Sequence, residues 1–167
     1  MTKVGFSLGT NLGDRLAHLQ RACTTLRELA SSDHFRASNV YETEPVDCPE
    51  GSPGFLNAVV EIETTLLPME LLGRTQTIET ELGRPDKSKR EPNAPRLIDV
   101  DILYYGDRAI NEPTLIIPHP RMHERDFVLR PLSDIRLDRV PENYAFEKGA
   151  SKQFADSTLL ASSPHLS

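Results

Sequence analysis

Two carboxylates, Asp99 and Asp101, stand at i and i+2 in the stretch Pro95-Arg-Leu-Ile-Asp-Val-Asp-Ile-Leu-Tyr-Tyr105. The stretch is otherwise aliphatic and aromatic and ends at Gly106-Asp107, which reads as a β-strand closed by a turn. Alternation along a strand puts Leu97, Asp99, Asp101 and Leu103 on one face, and Ile98, Val100, Ile102 and Tyr104 on the other. Like charges at that spacing repel and raise each other's pKa unless a cation sits between them. Mg²⁺ takes oxygen ligands, often one or two carboxylates together with substrate phosphate oxygens. Arg96 lies three residues before the pair, and a guanidinium fork suits phosphate. Taken alone, Asp-x-Asp reads more readily as an edge strand turning two acids to solvent, and the rest of the chain reverses that preference.

The elements that would position this pair can be followed from the N-terminus. Residues 3–8 form a first strand, Gly9-Thr-Asn-Leu-Gly13 turns the chain, and Asn11 is placed to cap a helix. Leu12, Leu16, Leu19, Cys23, Leu26 and Ala30 make its apolar stripe. The glycine turn lacks both G-x-G-x-x-G and a Gly-Lys-Ser/Thr ending, so it reads as a structural connection. A weak second strand covers 34–42, and a proline- and glycine-rich loop follows to Gly54. Leu56, Ala58, Val60 and Ile62 then alternate with Phe55, Asn57, Val59 and Glu61 in the clearest strand of the chain. Pro68 opens a second helix through Leu71, Leu72, Thr75, Ile78 and Leu82, with Gly83 as its cap. The order β-α-β-β-α-β is that of an α+β, ferredoxin-like sandwich. Both helices would cover one face of an antiparallel sheet and leave the other open, bringing Phe55, Asn57, Asp99 and Asp101 to one surface.

The later chain is less patterned. Pro113 to Pro120 reads as a connector, and Arg121 to Ile135 as a short helix and its exit. Residues 138–167 read as a less regular C-terminal extension of one domain spanning 1–167. Net charge is −6, which argues against a general nucleic-acid binder. Yet residues 84–96 hold Arg84, Lys87, Lys89, Arg90 and Arg96 against Asp86 and Glu91, a basic loop suited to a small polyphosphate. That loop carries little apolar surface and is expected to close over the ligand as a lid. No apolar run reaches the roughly 18 residues of a membrane span. Met1 to Leu8 enter a strand-like run without the long apolar region and cleavage site expected of a signal peptide, and Cys23 and Cys48 show no disulfide pattern, so a cytoplasmic location is expected.

The ordered set Tyr41-x-Thr43-x-Pro45-Val46, Phe55-Leu-Asn57, Gly83-Arg84, Pro95-Arg96-Leu-Ile-Asp99-Val-Asp101, Pro118-His119 and Arg125-x-Phe127 resembles the 6-hydroxymethyl-7,8-dihydropterin pyrophosphokinases of folate biosynthesis. So does the opening Gly9-Thr-Asn-Leu-Gly-Asp14, and the likeness runs from about residue 3 to residue 135. It implies transfer of the β,γ-diphosphoryl unit of ATP to the pterin hydroxymethyl oxygen, with release of AMP, by a monomer. By the same resemblance Asp99 and Asp101 would hold two Mg²⁺ ions, and Arg84 and Arg96 would neutralise the transferred group. His119 and Arg125 would grip phosphates, while Leu72, Gln76 and Glu79 would lie near the nucleotide. Phe55 and Phe127 would sandwich the pterin, whose edge Asn57, Thr43 and the Val46 main chain would read. The chain departs from many relatives at Asn93 and Ala94, where an aromatic and a glycine are frequent, and Phe55 replaces a frequent Tyr. A different Asp-x-Asp transferase would not need that aromatic pair. An RNA-binding module on the same fold would want aromatics that the sheet lacks.

Overall fold

β1 (Thr2–Thr10) is the axis of the molecule. Val4, Phe6 and Leu8 are fully buried on one of its faces, while Gly5, Ser7 and Gly9 line the other. The computed structural model describes residues 1–44, 54–82 and 97–161. β1 is flanked by antiparallel neighbours on both sides, β4 (Phe55–Thr64) and β5 (Asp99–Tyr105). The expected second strand is broken into β2 (Phe35–Ala37) and β3 (Val40–Thr43), both paired with β4. Ser38, at the break, is buried and exchanges bonds with Val59, its backbone N–H donating to the Val59 carbonyl and its Oγ accepting from the Val59 N–H. The sheet order is β5-β1-β4-β3-β8, where β8 (Ser151–Ala155) comes from the C-terminal region.

α1 (Arg15–Glu28) and α2 (Pro68–Glu81) pack on the Val4–Phe6–Leu8 face. Leu19, Cys23, Leu26, Leu71 and Ile78 join Leu56, Ala58, Val60 and Ile62 in one core. Each buried Leu, Ile or Val among them contributes about 1.5–3 kcal/mol. The cap of α1 is Asp14 rather than Asn11, its carboxylate accepting from the Ala17 N–H at 3.2 Å. The turn runs three residues further than the leucine pattern suggests, so Leu12 lies outside the helix. α2 begins at Pro68 as expected, and Gly83 lies outside the described residues.

The opposite face is not left open along its whole length. α3 (Asp126–Ile135) covers one half of it, packing Val128, Leu129, Leu132 and Ile135 over Val59, Leu103 and Tyr104. Tyr104 belongs to this second core, not with Ile102 as strict alternation requires. Phe6 pairs with Ile102 and Gly5 with Tyr104, so Leu103 is an extra residue in a bulge that turns the next side chain over. The Tyr104 ring then lies against Gly5, where an added Cβ would sit 2.3 Å from the ring. The expected connector 113–120 holds part of a hairpin, β6 (Ile110–Glu112) with β7 (Leu115–Ile117). The region from 138, expected to be irregular, carries β8 and the short α4 (Thr158–Ala161).

Candidate functional site

At the C-terminal end of β1 the sheet face is free of α3 and forms a floor. Gly9 pairs with Asn57 on one side and with Asp99 on the other, and Ser7 pairs with Val59 and Asp101. Beyond Asn57, Phe55 pairs with Thr43. Residues from three distant stretches thus fall on neighbouring rows of one surface. Thr10 Oγ1 donates to the Leu97 carbonyl and ties the end of β1 to the entrance of β5.

A cavity of about 640 Å³ stands on this floor, bordered by Asp99, Asp101, Asn57, Thr43 and Phe55. Ser7 and Gly9 lie beneath, and Arg125 and Phe127, from the turn that opens α3, stand at the side. Phe127 is 37% exposed, with the Arg125 guanidinium 5.5 Å from its ring centroid. Asn57 is buried, and its Nδ2 donates to Thr43 Oγ1 at 2.9 Å. A buried amide on an apolar strand must be satisfied, and this one has both a donor and an acceptor to offer a planar heterocycle. Gly9 keeps that floor low, since a Cβ there would come within 3.4 Å of Asn57 Oδ1.

A second cavity of about 260 Å³ lies over the outer side of β5. It is bordered by Leu72 and Thr75 of α2, Asp101, the hairpin residues Thr114 and Leu115, and His119. Asp101 therefore borders both cavities, as it can because β5 ends the sheet. The His119 backbone N–H donates to the Leu103 carbonyl at 2.9 Å, and its Nδ1 accepts from the Arg121 N–H at 3.2 Å. Burial pulls the His119 pKa below the usual imidazole range; Asp101 opposes this, while Arg125 and Arg121 add to it. Because Nδ1 accepts from the Arg121 N–H, the ring carries its proton on Nε2, which is left as a hydrogen-bond donor.

Of the residues singled out in the sequence, Asp99, Asp101, Asn57, Thr43, Phe55, Arg125 and Phe127 meet at the larger cavity. Leu72 and His119 meet at the smaller. Gln76 and Glu79 border neither: Gln76 is exposed, and Glu79 is buried on the next turn of α2. Arg84, Arg96, Val46 and the basic loop expected to act as a lid lie outside the described residues. The sequence reading missed Thr75, one helical turn from Leu72 on the same stripe, and the 147–151 wall of the larger cavity. Among the described residues no group of three or more His, Cys, Asp or Glu side chains could hold a metal ion. Asp99 and Asp101 stand two residues apart on β5 and both border the larger cavity.

Residues 5–137 match the model of the 7,8-dihydro-6-hydroxymethylpterin-pyrophosphokinase family. The 2-amino-4-hydroxy-6-hydroxymethyldihydropteridine pyrophosphokinase of Bacillus subtilis is 46% identical over 129 residues, covering 77% of this chain and 75% of that protein. The protein of the same name from Haemophilus influenzae is 36% identical over 158 residues, covering 95% and 96%. A crystal structure of wild-type Plasmodium falciparum HPPK-DHPS with pteroate superposes with a TM-score of 0.65 at 17% identity. That superposition covers 91% of this chain but 47% of the other, so the chain spans under half of that longer protein, and the likeness is one of fold.

Proposed function

The chain belongs to the 7,8-dihydro-6-hydroxymethylpterin-pyrophosphokinase family, and on that premise we propose that it transfers diphosphate from ATP to 6-hydroxymethyl-7,8-dihydropterin in folate synthesis. The observation that carries this reading is the convergence of an acid pair, a buried amide and two aromatic rings on one cavity, with Asp101 shared by a second. Around 640 Å³ is ample for a bicyclic ring and its substituent. Phe55 and Phe127 stack the pterin, and Asn57 with Thr43 reads its donor–acceptor edge. The nucleotide lies toward Leu72, Thr75 and His119, with its phosphates reaching Asp101.

In the reaction the hydroxymethyl oxygen bonds to the β-phosphorus. The bond from that phosphorus to the α,β-bridging oxygen breaks, AMP leaves with the oxygen, and the hydroxyl proton passes to solvent. Such transfers depend on positioning and on countering charge, not on a covalent nucleophile. Asp99 and Asp101 would hold Mg²⁺, a hard ion content with two carboxylates and completed by phosphate oxygens, and when bound it would counter the triphosphate charge. His119 donates from Nε2 to a phosphate oxygen without needing a proton from solution. Arg125 adds a fixed positive charge at the cavity, and Arg84 and Arg96 act on the transferred group. The sheet order, with β2 and β3 together serving as the second strand, is read as the ferredoxin-like plan with β8 added at its edge.

Product analysis tests the assignment. With Mg²⁺, ATP and the hydroxymethyl pterin, AMP must form in step with pterin consumption, and ADP as the main product would overturn it.

A further inference from the structure

Five residues that border the larger cavity, 147–151, lie beyond residue 137, where the family match stops. They are held from two sides. Ser151 opens β8 and pairs with Thr43, extending the row Ser151–Thr43–Phe55 across the sheet. On the other side a single carboxylate gathers the segment. Asp126 Oδ1 accepts from Tyr144 OH and from the Glu147 N–H, and Oδ2 accepts from Ser151 Oγ, each at 3.2 Å. Asp126 stands between Arg125 and Phe127 in the turn that opens α3, and all three border the cavity. Tyr144 and Phe146 pack edge to face at 5.0 Å, and Arg130 of α3 lies 5.1 Å over the Phe146 ring. At Gly149 φ is +80°, while an added Cβ would meet nothing within 4 Å, so the turn needs glycine for its backbone and not for space.

The segment thus joins the strand that carries Thr43 to the turn that carries Phe127 at the cavity itself, whereas the direct hydrogen bond between β3 and α3, from Tyr41 OH to Asp134, lies two turns further along the helix. Resting on the reading that the larger cavity takes the pterin, we infer that residues 144–151 form a wall of the ring site and that Asp126 is the positioning residue that latches it. The latch sets how well the ring is held between Phe55 and Phe127. The hydrogen bonds that Asp126 accepts all come from the 144–151 segment and leave Asp99 and Asp101, on β5, untouched, so its effect on the phosphoryl groups should be small even though Arg125 adjoins it.

The test uses the full chain with Asp126→Ala, Asp126→Asn and Ser151→Ala. Asparagine keeps the Oδ1 acceptor for two of the three donors. Asp126→Ala should raise KM for the pterin about 10- to 100-fold, the worth of two or three hydrogen bonds, with kcat little changed. Binding of an unreactive ATP analogue should stay within about twofold, and amides 147–151 should exchange faster with solvent. Asp126→Asn should recover most of the loss, and Ser151→Ala should give a smaller shift of the same kind. An unchanged pterin KM in Asp126→Ala overturns the inference, as does an equal loss of pterin and ATP-analogue affinity, which marks a merely structural role. If Asp126→Ala does not fold, Ser151→Ala decides by the same readouts. Wild-type chain that binds no pterin overturns the underlying reading instead, and wild-type binding with unaffected variants overturns the latch alone.

Discussion

The two ends of one sheet face pose the same physical problem and solve it in opposite ways. Each has a glycine of β1 as its floor and a carboxylate on an otherwise apolar strand. At the Gly5 end the row is Tyr104–Gly5–Glu61; at the Gly9 end it is Asp99–Gly9–Asn57. Glu61 is fully buried and arrives with its own donors: His34 Nε2 at 2.8 Å, Arg136 Nη1 at 2.7 Å and Tyr104 OH. Arg136 is itself held by a two-pronged contact with Asp138, and Arg139 lies 3.9 Å over the Tyr104 ring. Burial pushes the Glu61 pKa up, but hydrogen bonds from Tyr104, Arg136 and His34 outweigh it and hold the carboxyl below its usual range. Asp99 and Asp101 instead border open volume. Glu61, sealed in the core among its donors, ties the exit of α3 to the sheet, whereas Asp99 and Asp101 line a cavity wide enough to admit a ligand.

The sharpest way to break this contrast is at Asp101. Asp101→Ala should lower turnover by at least about 10³-fold, while the melting midpoint without ligand holds or rises. Removing divalent metal with a chelator should likewise stop turnover and leave that midpoint in place. A large loss of ligand-free stability would put Asp101 in the same class as Glu61. Glu61→Ala should do the reverse, costing about 3–5 kcal/mol in denaturant melts because Arg136 loses a buried partner. Its folded fraction should still bind the ATP analogue. Gly5→Ala should cost about 1–3 kcal/mol, since the Tyr104 ring must move. Gly9→Ala, with its Cβ 3.4 Å from Asn57 Oδ1, should weaken pterin binding more than stability. Equal effects of the two alanines on stability would erase the distinction between closed floor and open one.

The smallest effect is in pH. The folded pKa of Glu61 lies below its ordinary value of 4.5. Its contribution to stability is therefore complete above that value and is lost as pH falls through the depressed folded pKa. Unfolding followed from neutral to acid pH should show the wild type losing its advantage over Glu61→Gln only below about pH 4.5. Parallel profiles would show that Glu61 does not titrate as argued.

What the sequence could convey was local. Alternation in Phe55–Glu63 and around Asp99 put Asn57 and the acid pair on one face, and the sheet places them there. Three other features had no short-range signal. The bulge at Leu103 adds a residue without any glycine or proline to mark it, so Tyr104 changes face against strict period two. Arg136 reaches Glu61 across 75 residues, and its type says only that some acid will be near. The 147–151 wall is short and polar, and its position is set by Asp126 and Thr43, partners that no local spacing reveals.

Asp101 has one further consequence. Because its carboxylate borders both cavities, a ligand that changes the charge or solvation around it in one changes the standard free energy of filling the other. With the two substrates placed as proposed, thermodynamic reciprocity would require nucleotide and pterin to alter each other's dissociation constants by the same factor, whichever is added first. The side chain is a site of contact and also the term through which two binding equilibria become one.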